Sequence, residues 1–242
     1  VERVIEMRKI PKILVATTIY DKKHYAFPKW WKAVKELSYP SYGVLIVDNT
    51  ADNGNYARKL RRIIGNKGKV IHAERKKNSR DTLSYCQNII RQKVIDEDYD
   101  YWMSIESDIV PPSDTIQRLL QWGQPVVGGL YEIGHDVKRL CVFLRHDKGN
   151  GTVGTRLITA KEDEEIRKTK GLIKIHGCGI GCALIRRDIL ERFPFWTDER
   201  FDNKHSDVYF YMDLDNNKIP VYVDTTIFCE HYNSDWGKVE DR

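Results

Sequence analysis

Short runs of β-branched and apolar residues alternate, through the first hundred positions, with stretches whose apolar residues recur at helical spacing. Runs at 12–18, 42–47, 69–73 and 101–105 predict four strands. Between them, 27–37, 56–64 and 81–95 predict amphipathic helices. Ser79 or Asp81 is the expected cap of the third helix, because a short side-chain oxygen satisfies a free backbone N–H there. This alternation is the pattern of βαβ units around a parallel sheet.

After Asp108 the rhythm loosens. Pro111-Pro112 precede an expected helix at 113–122 and a short strand at 125–129. Residues 145–155, with three glycines, and the highly charged 161–170 read as surface loops that could act as a lid. Beyond them the pattern predicts a glycine-rich strand at 175–185, helices at 187–193 and 207–216, and strands at 221–223 and 226–230. No internal repeat and no low-complexity linker breaks the chain, so one α/β domain over residues 1–242 is expected.

Composition narrows the function. Apolar residues make up 41% and charged residues 31%, which excludes a disordered or fibrous chain. Forty basic against 35 acidic residues leave a net charge of +5, enough to favour anionic ligands without making the surface a polyanion binder. No nucleic-acid partner is expected. The clusters Arg58, Lys59, Arg61, Arg62 and Arg75, Lys76, Lys77, Arg80 read chiefly as solvated faces, with part of the second available to a diphosphate. Five cysteines without a CxxC pair suggest free thiols rather than a disulfide framework or a zinc knuckle. No apolar run approaches the roughly 20 residues that span a bilayer, so a cytoplasmic location is expected, with attachment to a membrane surface left open.

The segment Tyr101-Trp-Met-Ser-Ile-Glu-Ser-Asp-Ile-Val-Pro-Pro holds the strongest chemical signal. Its strand ends in Glu106 and Asp108, which alternation along a strand would turn to one side. Two carboxylates at the carboxyl end of a parallel strand suit a hard divalent cation that must also bind phosphate. Acidic residues at strand ends are also common without a metal, so this motif alone leaves both readings open.

Strand, Glu106-Ser107-Asp108, Pro111-Pro112 and the helix Thr115-Ile-Gln-Arg-Leu-Leu together resemble the DxD region of GT-A glycosyltransferases, particularly of family 2. Other segments resemble that family in the same order. Ile13-Leu-Val-Ala-Thr-Thr is similar to its first strand and nucleotide-cradling turn, which implies donor contacts from Thr17, Thr18 and Tyr20. Val44-Leu-Ile-Val-Asp48-Asn49 resembles its second strand, whose acidic end meets base or ribose; a plain turn former is the alternative for Asp48. Arg80-Asp-Thr-Leu-Ser-Tyr-Cys-Gln-Asn88 is similar to a donor-side helix, which makes Arg80 a donor contact.

In the second half, Gly177-Cys-Gly179-Ile-Gly181 resembles the acceptor-side strand, where glycine lets a ligand approach the backbone, so Gly179 is an acceptor-binding candidate. Ser206-Asp207 takes the place of the family's Glu-Asp pair, which makes Asp207 the catalytic base; a carboxylate facing a helix N-terminus is the alternative. Ile227-Phe-Cys-Glu-His231 lies where a late histidine completes the metal site, giving Asp108, Glu106 and His231 as metal ligands, Glu106 also facing the donor. The tail 233–238 would fold over the donor and acceptor through Lys238 and Trp236.

The resemblance, over about residues 12–236, implies a mostly parallel GT-A (nucleotide-diphospho-sugar transferase) sheet flanked by helices. About 10–110 would bind the nucleotide sugar and about 111–236 the acceptor. It further implies transfer from a nucleoside diphosphate sugar to a glycan, lipid or protein hydroxyl, with inversion, assisted by Mn²⁺ or Mg²⁺; a histidine ligand favours manganese. ExD in place of DxD, Ser206 beside the base and the missing Gln-x-x-Arg-Trp motif depart from the family, the last arguing against a processive synthase. A sugar-phosphate nucleotidyltransferase and a Rossmann dehydrogenase both require glycines that Thr17-Thr18-Ile19-Tyr20-Asp21 lacks. The sugar-phosphate nucleotidyltransferase stays as the runner-up within the same fold, and a non-catalytic nucleotide- or sugar-binding module derived from a glycosyltransferase is the other alternative.

Overall fold

The computed structural model describes residues 10–134, 136–147, 153–200 and 205–233. Its first half runs β1 (Ile13–Ile19), α1 (Phe27–Lys35), β2 (Tyr42–Asp48), α2 (Asn55–Ile64), β3 (Lys69–His72), α3 (Ser79–Asp96) and β4 (Tyr101–Ile105), the order the hydrophobic pattern predicts. The cap of α3 is Asn78 rather than Ser79 or Asp81; its side chain accepts the Asp81 N–H at 2.8 Å. Next come β5 (Ile109–Val110), α4 (Thr115–Leu120), β6 (Val126–Leu130), β7 (Glu132–Ile133) and β8 (Arg139–Leu140).

The stretches expected to be loops are ordered differently. β9 (Val142–Asp147) and β10 (Val153–Leu157) pair antiparallel, and the charged stretch forms α5 (Ala160–Lys168). A capping box fixes its start, with Thr159 and Glu162 each bonding the other's backbone N–H. Ile166 is buried on its inner face and Asp163 accepts the Leu140 N–H at 2.7 Å. High charge here marks the outer face of a docked helix, a periodicity that the density of Lys and Glu obscures in the sequence.

The chain then adds β11 (Leu172–Ile175), β12 (Gly177–Cys178), β13 (Cys182–Arg186), α6 (Arg187–Arg192), α7 (Ser206–Asn216), β14 (Val221–Phe228) and β15 (Glu230–His231). The glycine-rich strand expected at 175–185 is therefore three strands. The two late strands are one, β14, whose pairing with β6 shifts register between Asp224 and Phe228.

Eight strands form one sheet in the order β11-β14-β6-β13-β4-β1-β2-β3. β3, β2, β1, β4, β6 and β14 run one way, while β13 and β11 run against them. Alternate side chains of each strand feed two cores. Ile13, Val15, Ile46, Met103 and Ile105 pack under α1, α2 and α4, whereas Leu14, Ala16, Val47 and Trp102 pack under α3, α6 and α7. Burial on both faces is why these strands read as continuous apolar runs.

Trp30 ties α1 to the end of β4. It is fully buried, and its indole N–H donates to the Ile105 carbonyl at 3.0 Å, one residue before Glu106. Trp30→Phe is expected to lower stability by about 1–3 kcal/mol, because the Ile105 carbonyl loses its indole donor inside the core. Urea unfolding of the two proteins measures the difference.

Candidate active site

The carboxyl ends of β1, β2 and β4 and the first turn of α3 enclose a cleft of about 360 Å³. Thr18, Tyr20 and Lys23 line it from the β1 side and Asn49 from β2. Arg75, Ser79 and Thr82 close it at α3, and Glu106, Ser107 and Asp108 form the floor after β4. This is the edge at which open α/β sheets receive ligands, since the strand-to-helix turns leave a crevice there.

Glu106 and Asp108 share the cleft for a reason other than strand alternation. β4 ends at Ile105, and a turn follows in which the Ile109 N–H returns to the Glu106 carbonyl at 2.8 Å. The Glu106 N–H is held by the Gly181 carbonyl at 2.9 Å, so antiparallel β13 anchors the turn from the side. β5 leaves the turn and pairs with β15, placing His231 opposite Ile109, while the Tyr232 N–H donates to the Asp108 carbonyl at 2.8 Å.

That ladder sets His231 Nε2 3.5 Å from Asp108 Oδ2. His231 Nδ1 lies 2.5 Å from the Glu132 carbonyl oxygen, which can only accept, so Nδ1 carries the proton and Nε2 is directed at Asp108. Two ligands about 2.1 Å from one ion, at tetrahedral or octahedral angles, stand about 3.0–3.4 Å apart. The Asp108–His231 pair fits one divalent cation, with the Glu132 carbonyl orienting the ring from behind. Glu106 stands further off. Among the described residues, the three-residue His/Cys/Asp/Glu group whose donor atoms lie within 4.8 Å of one another is Asp48, Asp52 and His72.

Charge in the cleft is tightly opposed. Burial first, and then the charge of Asp108, push the Glu106 carboxyl up to about 7 against the pull of Lys23. Burial would raise Asp108 as well, but the His231 imidazole and the Lys23 ammonium outweigh it and hold that carboxyl below its usual value. Lys23 Nζ is hydrogen-bonded to Asp108 Oδ2. Burial pulls His231 down, yet Asp108 and the Glu132 carbonyl prevail and raise it above an ordinary imidazole.

Other sequence candidates fall at varying distances from this centre. Thr18 and Tyr20 line the cleft, with the Arg75 guanidinium 6.0 Å over the Tyr20 ring; Thr17 is buried behind them. Asp48 is fully buried and supports the β2 turn: Thr50 donates to it from N–H at 3.0 Å and from Oγ1 at 2.6 Å, and His72 Nδ1 lies 3.0 Å away. Its neighbour Asn49 faces the cleft. Arg80 occupies the second position of α3, outside the lining, within electrostatic reach of Tyr209 on α7. Asp207, at the start of α7, lines a second, small cavity with His176, Cys178 and Tyr211, and burial raises its carboxyl. His205, two residues earlier, lines the main cleft. Trp236 and Lys238 lie outside the described residues. All five cysteines are free and buried.

Sequence reasoning missed Lys23, Asn49, Thr82, Ser107 and His205 as lining residues and gave Ser79 only a capping role. Arg75 belongs to the basic cluster from which a diphosphate contact was expected. The described helices include none long and apolar enough to cross a membrane.

No protein-family model matches the sequence, and no curated protein matches it either. Solved structures do. A crystal structure of GalNAc-T7 with UDP, GalNAc and Mn²⁺ superposes on 93% of this chain with a TM-score of 0.63 at 11% identity. The chain spans 44% of that protein's length, so the likeness covers part of a larger molecule. It establishes the fold: the chain is a single α/β domain of the GT-A type.

Gly179 shows what glycine does here. A Cβ at this position would run into the Tyr131 hydroxyl, and the Tyr131 ring packs edge-on against His231 with centroids 5.5 Å apart. The close approach comes from a buried tyrosine of the protein itself. Gly179→Ala is expected to cost about 1–3 kcal/mol through overpacking. Tyr131→Phe in that background should recover part of the loss, and a double-mutant cycle in urea measures the recovery.

Proposed function

We propose that the chain is a metal-dependent glycosyltransferase moving a sugar, a hexose in the simplest case, from a nucleoside diphosphate sugar to a hydroxyl of a glycan, lipid or protein, with inversion. The observation that carries this reading is the meeting of Asp108 Oδ2 and His231 Nε2 at 3.5 Å beside a cleft at the carboxyl edge of the parallel strands. The UDP and Mn²⁺ held by the fold neighbour support it.

In this reading residues up to about 110 bind the donor, and those that follow bind the acceptor. Asp108 and His231 would hold the cation, Mn²⁺ in preference to Mg²⁺ because one ligand is an imidazole. When bound, that ion supplies Lewis-acid stabilisation of the departing diphosphate. Thr18, Tyr20 and Asn49 bound the donor pocket, with Asp48 fixing the turn that presents Asn49. Arg75 adds positive charge on the α3 side. Asp207 is the base: its half-buried carboxylate, raised by desolvation, would accept the proton of an acceptor hydroxyl.

Thermal unfolding with UDP, GDP or CDP, in Mn²⁺ or EDTA, tests the proposal, because a ligand specific to the native state raises its stability. A Mn²⁺-dependent rise with one nucleotide is expected, absent in Asp108→Ala; a rise that survives in that variant would refute the metal assignment. Since a proton and a metal ion compete for His231 Nε2, and this imidazole is raised, the rise should grow as pH increases through and above the ordinary imidazole value of 6.5. Asp207→Asn should keep nucleotide binding while slowing sugar transfer by about 10²-fold or more. Undiminished transfer would remove Asp207 as the base.

A further inference from the structure

One oxygen of Asp108 is claimed twice. Oδ2 accepts the hydrogen bond of Lys23 Nζ and also faces His231 Nε2. A divalent cation shared by Asp108 and His231 would bind this same oxygen. An ammonium and a dication cannot both sit on it, because they repel each other across a few ångströms in a site poorly screened by water.

The pair is largely withdrawn from solvent: the Lys23 side chain is 21% exposed and that of Asp108 only 3%. Lys23 therefore gives up Asp108 readily only if a second anion receives its charge. Its position allows this. Lys23 ends the short 3₁₀ turn Asp21–Lys23 that follows β1, and a lysine stem has four rotatable carbons to swing across the cleft it lines. Arg75 lines the same cleft, with its guanidinium over the Tyr20 ring, so an anion in the cleft would meet a second cation.

We propose that Lys23 is an exchangeable counter-cation, which neutralises Asp108 until a divalent cation takes the carboxylate and then transfers to the diphosphate of the donor. The inference rests on the metal and nucleotide reading above and adds a coupling to it. Metal and nucleotide bind as a pair: the cation displaces the ammonium, the diphosphate accepts it, and each ligand raises the affinity of the other by the same factor. Lys23 is a ligand-binding residue in this scheme.

Mn²⁺ titration by calorimetry, with the free ion checked by its EPR signal, reads the coupling directly in wild type, Lys23→Gln and Lys23→Met, with and without saturating UDP, GDP or CDP. In wild type the nucleotide that binds should raise Mn²⁺ affinity by about 5- to 150-fold. Both variants should bind Mn²⁺ alone more tightly than wild type, by a factor in that same range, and lose most of the nucleotide enhancement. Lys23→Arg, which keeps the charge, should retain the coupling. Unchanged or weaker Mn²⁺ binding in a folded Lys23→Gln or Lys23→Met protein, beside a wild type that binds metal, overturns the exchange and leaves the metal site intact. A wild type that takes up no Mn²⁺ with any of the nucleotides overturns the metal site, and the exchange with it.

Discussion

A carboxylate almost wholly removed from water is costly unless cations or donors surround it, and much of this fold can be understood as the surroundings of Asp108. Lys23 reaches it from the turn after β1 and His231 from the last described strand. Neither could arrive without the sheet. β1 must lie beside β4 to bring the lysine, and β15 must pair with β5 to bring the imidazole. The backbone bond from Tyr232 to the Asp108 carbonyl and the indole bond from Trp30 to Ile105 hold the turn between them. Charge compensation at one side chain thus depends on both halves of the domain.

Antiparallel β13 has a comparable importance for the backbone. Inserted between β4 and β6, it turns the Gly181 carbonyl towards the Glu106 N–H just where a run of parallel strands would leave that group to water. The glycines before it make room for Tyr131, whose hydroxyl is met by the Gly181 N–H at 3.3 Å and whose ring supports His231. The segment that resembles an acceptor strand therefore acts first as the wall that fixes the His231 imidazole.

The fold was largely legible in the sequence because double-sided burial writes itself as apolar runs: Ile13–Ile19, Tyr42–Asp48 and Tyr101–Ile105 are visible without any knowledge of what lies beside them. α5 was not, since its few buried residues are outnumbered by the charges of its exposed face. The site was legible where chemistry sits at strand ends. Glu106 and Asp108 do share one cleft, but a turn puts them there, and the turn keeps Glu106 away from the pair that Asp108 makes with His231. Asp48 was open to two readings, a ligand contact or a turn former, and its bonds are those of a turn former. A buried acid at a strand end draws attention, yet its oxygens are engaged by Thr50 and His72, and the unremarkable Asn49 beside it meets the cleft. Lys23 had no signal at all in a run of Asp21-Lys22-Lys23-His24, because only the curl of a 3₁₀ turn selects which of these side chains faces inward.

The place of β15 after every other described element has a consequence for biosynthesis. Ribosomes release a chain from its amino end, so Lys23 and Asp108 are both available long before His231 emerges. In that interval the carboxylate can be neutralised by a lysine made earlier, and the β1–β4 part of the sheet can close around it. The imidazole arrives afterwards, onto a turn already formed. The pairing of Asp108 with Lys23 is thereby separated in time from its contact with His231, which follows closely on β14 and arrives with the strand that completes the sheet.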